Sequence, residues 1–107
     1  MNWTNSDVNN LLQILPHTKK DAIHAVEVAR RLNLPTSGNQ VIVRGLIRYA
    51  IKTNLIMGST RVGYWLSTNK LEVEEYISSL EKRANSTLQR SQDLKKLWNN
   101  KYPNNKI

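Results

Sequence analysis

Ala25-Val26-Glu27-Val28-Ala29-Arg30-Arg31-Leu32, then Val43-Arg44-Gly45-Leu46-Ile47-Arg48, then Gly63-Tyr64-Trp65-Leu66 are the stretches that decide how this chain folds. In the first, Val26, Val28, Ala29 and Leu32 form an apolar stripe while Glu27, Arg30 and Arg31 stay in water, which predicts a short helix. Asn33-Leu34-Pro35-Thr36 stops it. Ser37 lies three residues before Gln40, a capping-box spacing, so the next helix is expected to start there and run to about Lys52. Val43, Leu46, Ile47 and Ala50 then recur on one side at a 3.6-residue period. Leu55-Ile56-Met57 and Val62-Gly63-Tyr64-Trp65-Leu66 are rich in aromatic and branched residues, and the turn-like Gly58-Ser59-Thr60-Arg61 joins them as a hairpin.

Outward from this centre the pattern stays mainly helical. Asn5, Ser6 and Asp7 offer a cap for a first helix over roughly 6–15, with Val8, Leu11, Leu12 and Leu15 inward and Pro16 as its stop. His17 to Lys20 form a polar link, and Asp21-Ala22-Ile23-His24 is short enough for a minimal strand. Ser67, Thr68 and Asn69 cap a last helix expected over about 69–98, which contains neither Gly nor Pro. At a rise of ~1.5 Å per residue it spans about 45 Å, more than the width of a domain built from the preceding residues. Leu71, Tyr76, Ile77, Leu80, Ala84, Leu88, Leu94, Leu97 and Trp98 give it an apolar side, interrupted at Thr87 and Ser91. The division is thus 1–68 as a domain, 69–98 as a long helix and 99–107, with Pro103 and four Asn, as a flexible tail.

The chain has 107 residues, a net charge of +8 and no cysteine. Thiolate catalysis, thiolate metal sites and disulfides are excluded, which favours an intracellular, cytoplasmic setting. There is no run of 18 apolar residues for a membrane span, and no basic segment before an apolar stretch to mark a secretory signal. The charge falls in blocks: residues 1–69 carry a net +5, residues 70–81 a net −3 and residues 82–107 a net +6. Such a balance favours polyanion partners, since phosphate contacts release counterions.

The stretch Ala22 to Leu66 resembles the winged helix-turn-helix module, with the biotin-repressor type of wing that closes on a Gly-Tyr-x-Leu strand, here Gly63-Tyr64-Trp65-Leu66. The wider pattern is Ala22-Ile23, Glu27-Val28-Ala29, Val43-Arg44, Gly63-Tyr64-Trp65, then an acidic helix with Leu80 and Arg83. It is similar to small phage and prophage proteins of low-GC bacteria, over about residues 20–85. The resemblance implies a mainly α fold with a small β-hairpin wing, a winged helix-turn-helix followed by a long C-terminal helix. It also implies duplex DNA as partner, in transcription regulation or as a replication accessory of a mobile element. Winged helices also grip proteins, so a phage-encoded inhibitor of a host or defence protein is the rival, and structured RNA a third reading. The longer Pro35-Thr36-Ser37-Gly38-Asn39 turn departs from the pattern, as does the extension past Arg83.

The third helix, over about 38–52, is the expected reader. At 100° per residue, Val41, Gly45, Arg48 and Lys52 fall opposite its apolar side, with Gln40 and Arg44 on the flank. Arg44, Arg48 and Lys52 stand at i, i+4 and i+8 as one basic ridge. Arg suits guanine, Gln suits adenine and Val41 suits a thymine methyl, while Gly45 lets the backbone approach a groove wall. A solvated helix face also carries Arg and Lys, so the ridge alone does not decide; the adjoining hairpin favours DNA. Arg61 in the hairpin loop suits a phosphate or a minor groove, or is an ordinary exposed turn residue. Asn39, with Gln40 and Ser37, stands at a helix start, where free N–H groups favour phosphate or simply take a cap. Of Tyr64 and Trp65, which alternate across the hairpin, one is expected to cover the core and the other to face outward.

No catalytic constellation emerges, and the chain reads as a non-enzyme without cofactor. His17, His24 and Asp21 are too few for a zinc site, and there is no Gly-rich phosphate loop. The acidic start and basic remainder of the last helix suit antiparallel pairing with a second copy through Ile77, Leu80, Ala84, Leu88, Leu94 and Trp98, giving a homodimer; the alternative is a helix folded back on its own domain.

Overall fold

The structure, a computed structural model, describes residues 2–107. It is mainly helical, with one two-stranded antiparallel hairpin and a long C-terminal helix, in the order α1 (Asn5–Ile14), α2 (Ala25–Arg31), α3 (Val41–Ala50), β1 (Ile56–Ser59), β2 (Gly63–Leu66) and α4 (Lys70–Lys101). Two compact units result: one extends through Val73, and the other is Glu74–Ile107. The first therefore reaches past Thr68 to include the opening turn of α4.

The core of the first unit is built where the three helices converge. Leu11 and Leu15 from α1 and its cap meet Ala25, Val28 and Ala29 from α2, with Val43, Leu46, Ile47 and Ala50 from α3 and Ile56 from β1. The small Ala25, Ala29 and Ala50 let the helices approach, and the larger residues fill the space between them. The expected apolar side of α3 is thus the buried one.

Caps set the helix ends. Thr4, rather than Asn5, Ser6 or Asp7, caps α1: its side chain accepts from the Asp7 N–H while the Asp7 carboxylate accepts from the Thr4 N–H at 2.9 Å. Asp7 serves as the third residue of a capping box, so the helix starts one residue earlier than its side-chain pattern suggested. At the other end of α2, Asn33 takes the left-handed conformation (φ 57°). The Leu34 N–H bonds the Ala29 carbonyl at 2.8 Å and the Asn33 N–H bonds the Arg30 carbonyl at 3.2 Å. This is a Schellman closure, with Asn in the place Gly often takes.

The segment before α2 is a 3-10 turn at Lys19–Asp21, capped by the Thr18 side chain, followed by one bridge. Ile23 and Tyr64 exchange both backbone hydrogen bonds, at 3.1 and 2.7 Å. The minimal strand expected over Asp21–His24 therefore contracts to Ile23, because Asp21 is held in the preceding turn. The Leu66 N–H bonds the Pro16 carbonyl at 2.8 Å, fixing the far end of β2 to the exit of α1.

In the hairpin Ile56 pairs with Leu66, Met57 with Trp65, Gly58 with Tyr64 and Ser59 with Gly63. Ile56, Tyr64 and Leu66 lie against the helical core, and Met57 and Trp65 point to the opposite face. That second face is also covered: Trp65 is 3% exposed. Neither aromatic faces outward as the alternation suggested. The buried indole N–H donates to the Glu72 carboxylate at 2.5 Å, in the first turn of α4, which meets the requirement that a buried indole find an acceptor. Asn69 caps that turn by accepting from the Glu72 N–H at 3.1 Å.

The Ser67 side chain, and next the Trp65 indole, hold the Glu72 carboxyl below its ordinary value of 4.5, and Lys19 adds a smaller favourable charge. A carboxyl depressed on folding stabilises the fold above its unfolded pKa, and that contribution is lost as pH falls through the folded pKa. Glu72→Gln is accordingly expected to lower the melting temperature at pH 7. The gap to wild type should close on acidification below pH 4.5. A gap that stays constant from neutral to acid pH in thermal melts would refute the ionised contact.

The second unit is α4 beyond Val73, which buries none of its residues. Its helix extends past the expected end at 98 to Lys101, and the residues beyond fold back on it. The Trp98 indole N–H donates to the Asn105 carbonyl at 2.7 Å, the Trp98 and Tyr102 rings lie in contact with centroids 4.4 Å apart and planes tilted by 39°, and the Ile107 N–H bonds the Asn99 side chain at 2.9 Å. Of the residues 99–107 expected as a flexible tail, those up to Lys101 belong to the helix and the rest make these contacts with its last turns. No helix among the described residues is long and apolar enough to cross a membrane.

Candidate nucleic-acid interface

The face of α3 opposite the core presents Val41, Arg48, Tyr49 and, just past its C-terminus, Lys52. Arg48 and Lys52 are exposed, as is Arg61 in the hairpin loop. Among the described residues no acid pairs with Arg44, Arg48, Lys52 or Arg61. By contrast Arg30 and Arg31 on α2 share the single carboxylate of Glu27, at 2.6 and 3.1 Å, which offsets one of their two charges. Among the described residues of this unit, Arg44, Arg48, Lys52 and Arg61 thus stand without an acid partner on α3, its exit turn and the hairpin, alongside Lys20 before α2.

The N-terminal side of this face differs from the sequence reading. Helix α3 starts at Val41, because Gly38, Asn39 and Gln40 all take positive φ (64°, 58° and 56°), one left-handed turn. Ser37 makes no side-chain cap, so its spacing to Gln40 is not a capping box. The Gln40 amide N–H donates instead to the Thr36 carbonyl at 2.9 Å. Asn39 contributes its backbone: its carbonyl accepts from the Arg44 guanidinium at 2.8 Å. Non-Gly residues in this region cost of order 1 kcal/mol each and persist only where surroundings hold them. Here the Gln40 side chain and Arg44 provide that hold. Gln40 is consequently committed to its own chain as much as to an adenine edge, and Arg44 is a half-buried brace for the turn that keeps part of its guanidinium for an outside acceptor.

Gly45 also differs. A Cβ there would lie 3.6 Å from Nε1 of Trp3, whose indole sits over this part of the helix. The backbone at Gly45 is not bare, and the sequence pattern missed Trp3 because it precedes α1 and belongs to no periodic face. At 3.6 Å a methyl group makes ordinary contact, so Gly45→Ala is expected to raise stability by about 0.5–1 kcal/mol through reduced backbone entropy in the unfolded chain. Duplex affinity should stay unchanged. An affinity loss beyond about tenfold at undiminished stability would show that a groove wall needs the bare backbone.

Lys52 lies beyond the last helical turn, since α3 ends at Ala50 with Ile51 as its cap. It extends the ridge of Arg44 and Arg48 from the exit turn rather than from the helix itself. Arg61 is placed by two contacts the sequence did not signal. The His24 ring Nε2 lies 3.2 Å from the Arg61 carbonyl, and Ser59 Oγ accepts from the Val62 N–H at 3.1 Å. The loop tip thereby gains a tie to the N-terminus of α2. The face also has an apolar component, with Val41 66% and Tyr49 45% exposed, so a partner here meets cations and hydrocarbon together.

A cleft of about 50 Å³ between Trp3, Asp7, Asn10, Leu32, Leu34 and Leu46 is room for one or two water molecules rather than a substrate. Among the described residues there is no cluster of three or more His, Asp or Glu able to hold a metal ion. Comparison of the chain with protein-family models, with curated proteins and with solved structures finds no match.

Proposed function

We propose that this chain binds duplex DNA as a winged helix-turn-helix, with α2, the left-handed turn and α3 as the helix-turn-helix and the β1–β2 hairpin as the wing. The reading rests on one observation: Arg48 and Lys52 are solvated and unopposed by any described acid on the face of α3 that the core leaves outward. A recognition helix meets the major groove with such a face, its cations reaching phosphates and base edges. Arg61 at the wing tip supplies a further phosphate or minor-groove contact. Val41 suits a thymine methyl, and Tyr49 suits the sugar-phosphate wall.

The exposed Val41 and Tyr49 also favour a second reading, in which the same face docks on an acidic protein surface carrying an apolar pocket. Titration of the chain with duplex DNA, single strands and structured RNA across a salt series separates the readings. Duplex binding is expected to be tightest, with log affinity falling linearly against log salt at a slope set by the phosphates neutralised. Absence of duplex binding at low salt rejects the DNA reading, and absence of binding to all three nucleic acids leaves the protein partner.

A further inference from the structure

Helix α4 is 32 residues long and buries none of them. Within Glu74–Ile107, Ile77, Leu80, Ala84, Thr87, Ser91 and Leu94 recur at alternating spacings of four, or of three, residues, the repeat of a two-stranded coiled-coil seam. Ile77, Leu80 and Leu94 are 43–49% exposed, and Thr87, which breaks the apolar run, turns its hydroxyl back to the Arg83 carbonyl at 2.9 Å. That bond satisfies the hydroxyl within its own helix and removes the main polar objection to burying the middle of the seam. A long helix whose apolar stripe is about half exposed is marginal alone, since most helical stability comes from packing that stripe.

We infer that α4 pairs with α4 of a second copy in antiparallel orientation, Ile77 of each helix facing Leu94 of the other and the crossing lying between Ala84 and Thr87. Orientation follows from charge. Residues 70–81 carry a net −3 and residues 82–107 a net +6. A parallel pair sets each block beside its own kind. An antiparallel pair sets the acidic block of one helix beside the Arg90, Lys95 and Lys96 region of the other. In the register with Ile77 opposite Leu94, Leu80 faces Ser91, and Ala84 faces Thr87. Large side chains meet toward the ends of the seam, and the small pair at the centre lets the helices approach closely. Arg83 comes near Arg90 of the second copy, a like-charge contact that opposes pairing and is offset by the apolar layers on either side. Trp98 is occupied at its own end by Tyr102 and Asn105, so it closes the seam rather than extending it. The inference stands on α4 alone and does not depend on duplex binding.

Sedimentation equilibrium of the full chain at tens of micromolar is expected to give twice the 12.3 kDa chain mass. The double variant Ile77→Asp, Leu94→Asp should give the single-chain mass. Because the chain has no cysteine, cross-linking reads the orientation directly and independently of that variant's folding. Chains with Ile77→Cys mixed with chains carrying Leu94→Cys should form the mixed disulfide under mild oxidation, and neither should link to itself. Self-linked Ile77→Cys chains would show a parallel pair, and a single-chain mass for wild type would show no pair; either overturns the inference. A wild-type dimer without the mixed disulfide overturns it as well, by placing the contact elsewhere.

Discussion

Replacing Arg48 and Lys52 together by Glu is expected to weaken duplex DNA binding by on the order of 100-fold at physiological salt, and to reduce the slope of log affinity against log salt by about two. Each lost phosphate contact removes roughly one released counterion, and each new carboxylate adds repulsion from the backbone. The fold should survive, because both side chains are exposed and neither holds a neighbour through a described hydrogen bond or ion pair. Arg44 is the poorer choice for this test. Its guanidinium braces the Asn39 carbonyl, so its reversal confounds lost contact with a disturbed turn.

The matched control places the same charge change elsewhere. Lys82 and Lys106 lie in the second unit, outside both the Ile77–Leu94 seam and the Arg90, Lys95 and Lys96 region, and both are exposed. Lys82→Glu with Lys106→Glu lowers the net charge by the same amount. If the α3 face does the binding, this control keeps most of the duplex affinity. An equal loss in both double variants assigns binding to diffuse net charge and removes the case for α3 as a reader, because long-range attraction depends on total charge whereas groove contact depends on position.

How much of this was legible beforehand follows from where the physics is local. The apolar side of α3 and the hairpin strands are patterns of neighbouring residues, so Val43, Leu46, Ile47 and Ala50 were identifiable as core from their spacing, and Tyr64-Trp65 as strand from their type. The left-handed turn was not, because Ser37 and Gln40 stand at a spacing that suits a cap. The winning arrangement uses the Thr36 carbonyl and a cation five residues beyond Asn39. Gly38 was the one local hint of positive φ, and it does not reveal that Asn39 and Gln40 follow it. Trp3 over Gly45 and Glu72 under Trp65 are non-periodic contacts. The second has a weak signal in hindsight, a carboxylate seven residues after a tryptophan that needs an acceptor. Outward exposure of Arg48 and Lys52 was legible. The bracing role of Arg44 was not, since helix geometry alone assigns all three cations to one ridge.

Gly63→Ala is expected to cost about 3 kcal/mol, a large share of the stability of a small domain. Two independent penalties combine. Gly63 has φ of +98°, outside the range side-chain-bearing residues readily adopt, and an added Cβ would lie 2.8 Å from both the carbonyl carbon and oxygen of Ile23. The obstacle is backbone, so no rotamer change relieves it. To accommodate the methyl, the Ile23–Tyr64 bridge must part, and with it the two hydrogen bonds that tie β2 to the entry of α2. A urea midpoint within error of wild type would show that this close approach is not a feature of the folded chain. The consequence reaches the candidate interface, because the same junction carries His24, whose ring meets the Arg61 carbonyl. With the bridge open, Arg61 loses its fixed position relative to α2, and through the shared core relative to α3. Under conditions where the variant remains folded, its duplex affinity should therefore fall although no charge has changed, and that loss should not be additive with removal of Arg61 itself, since both changes act through one contact.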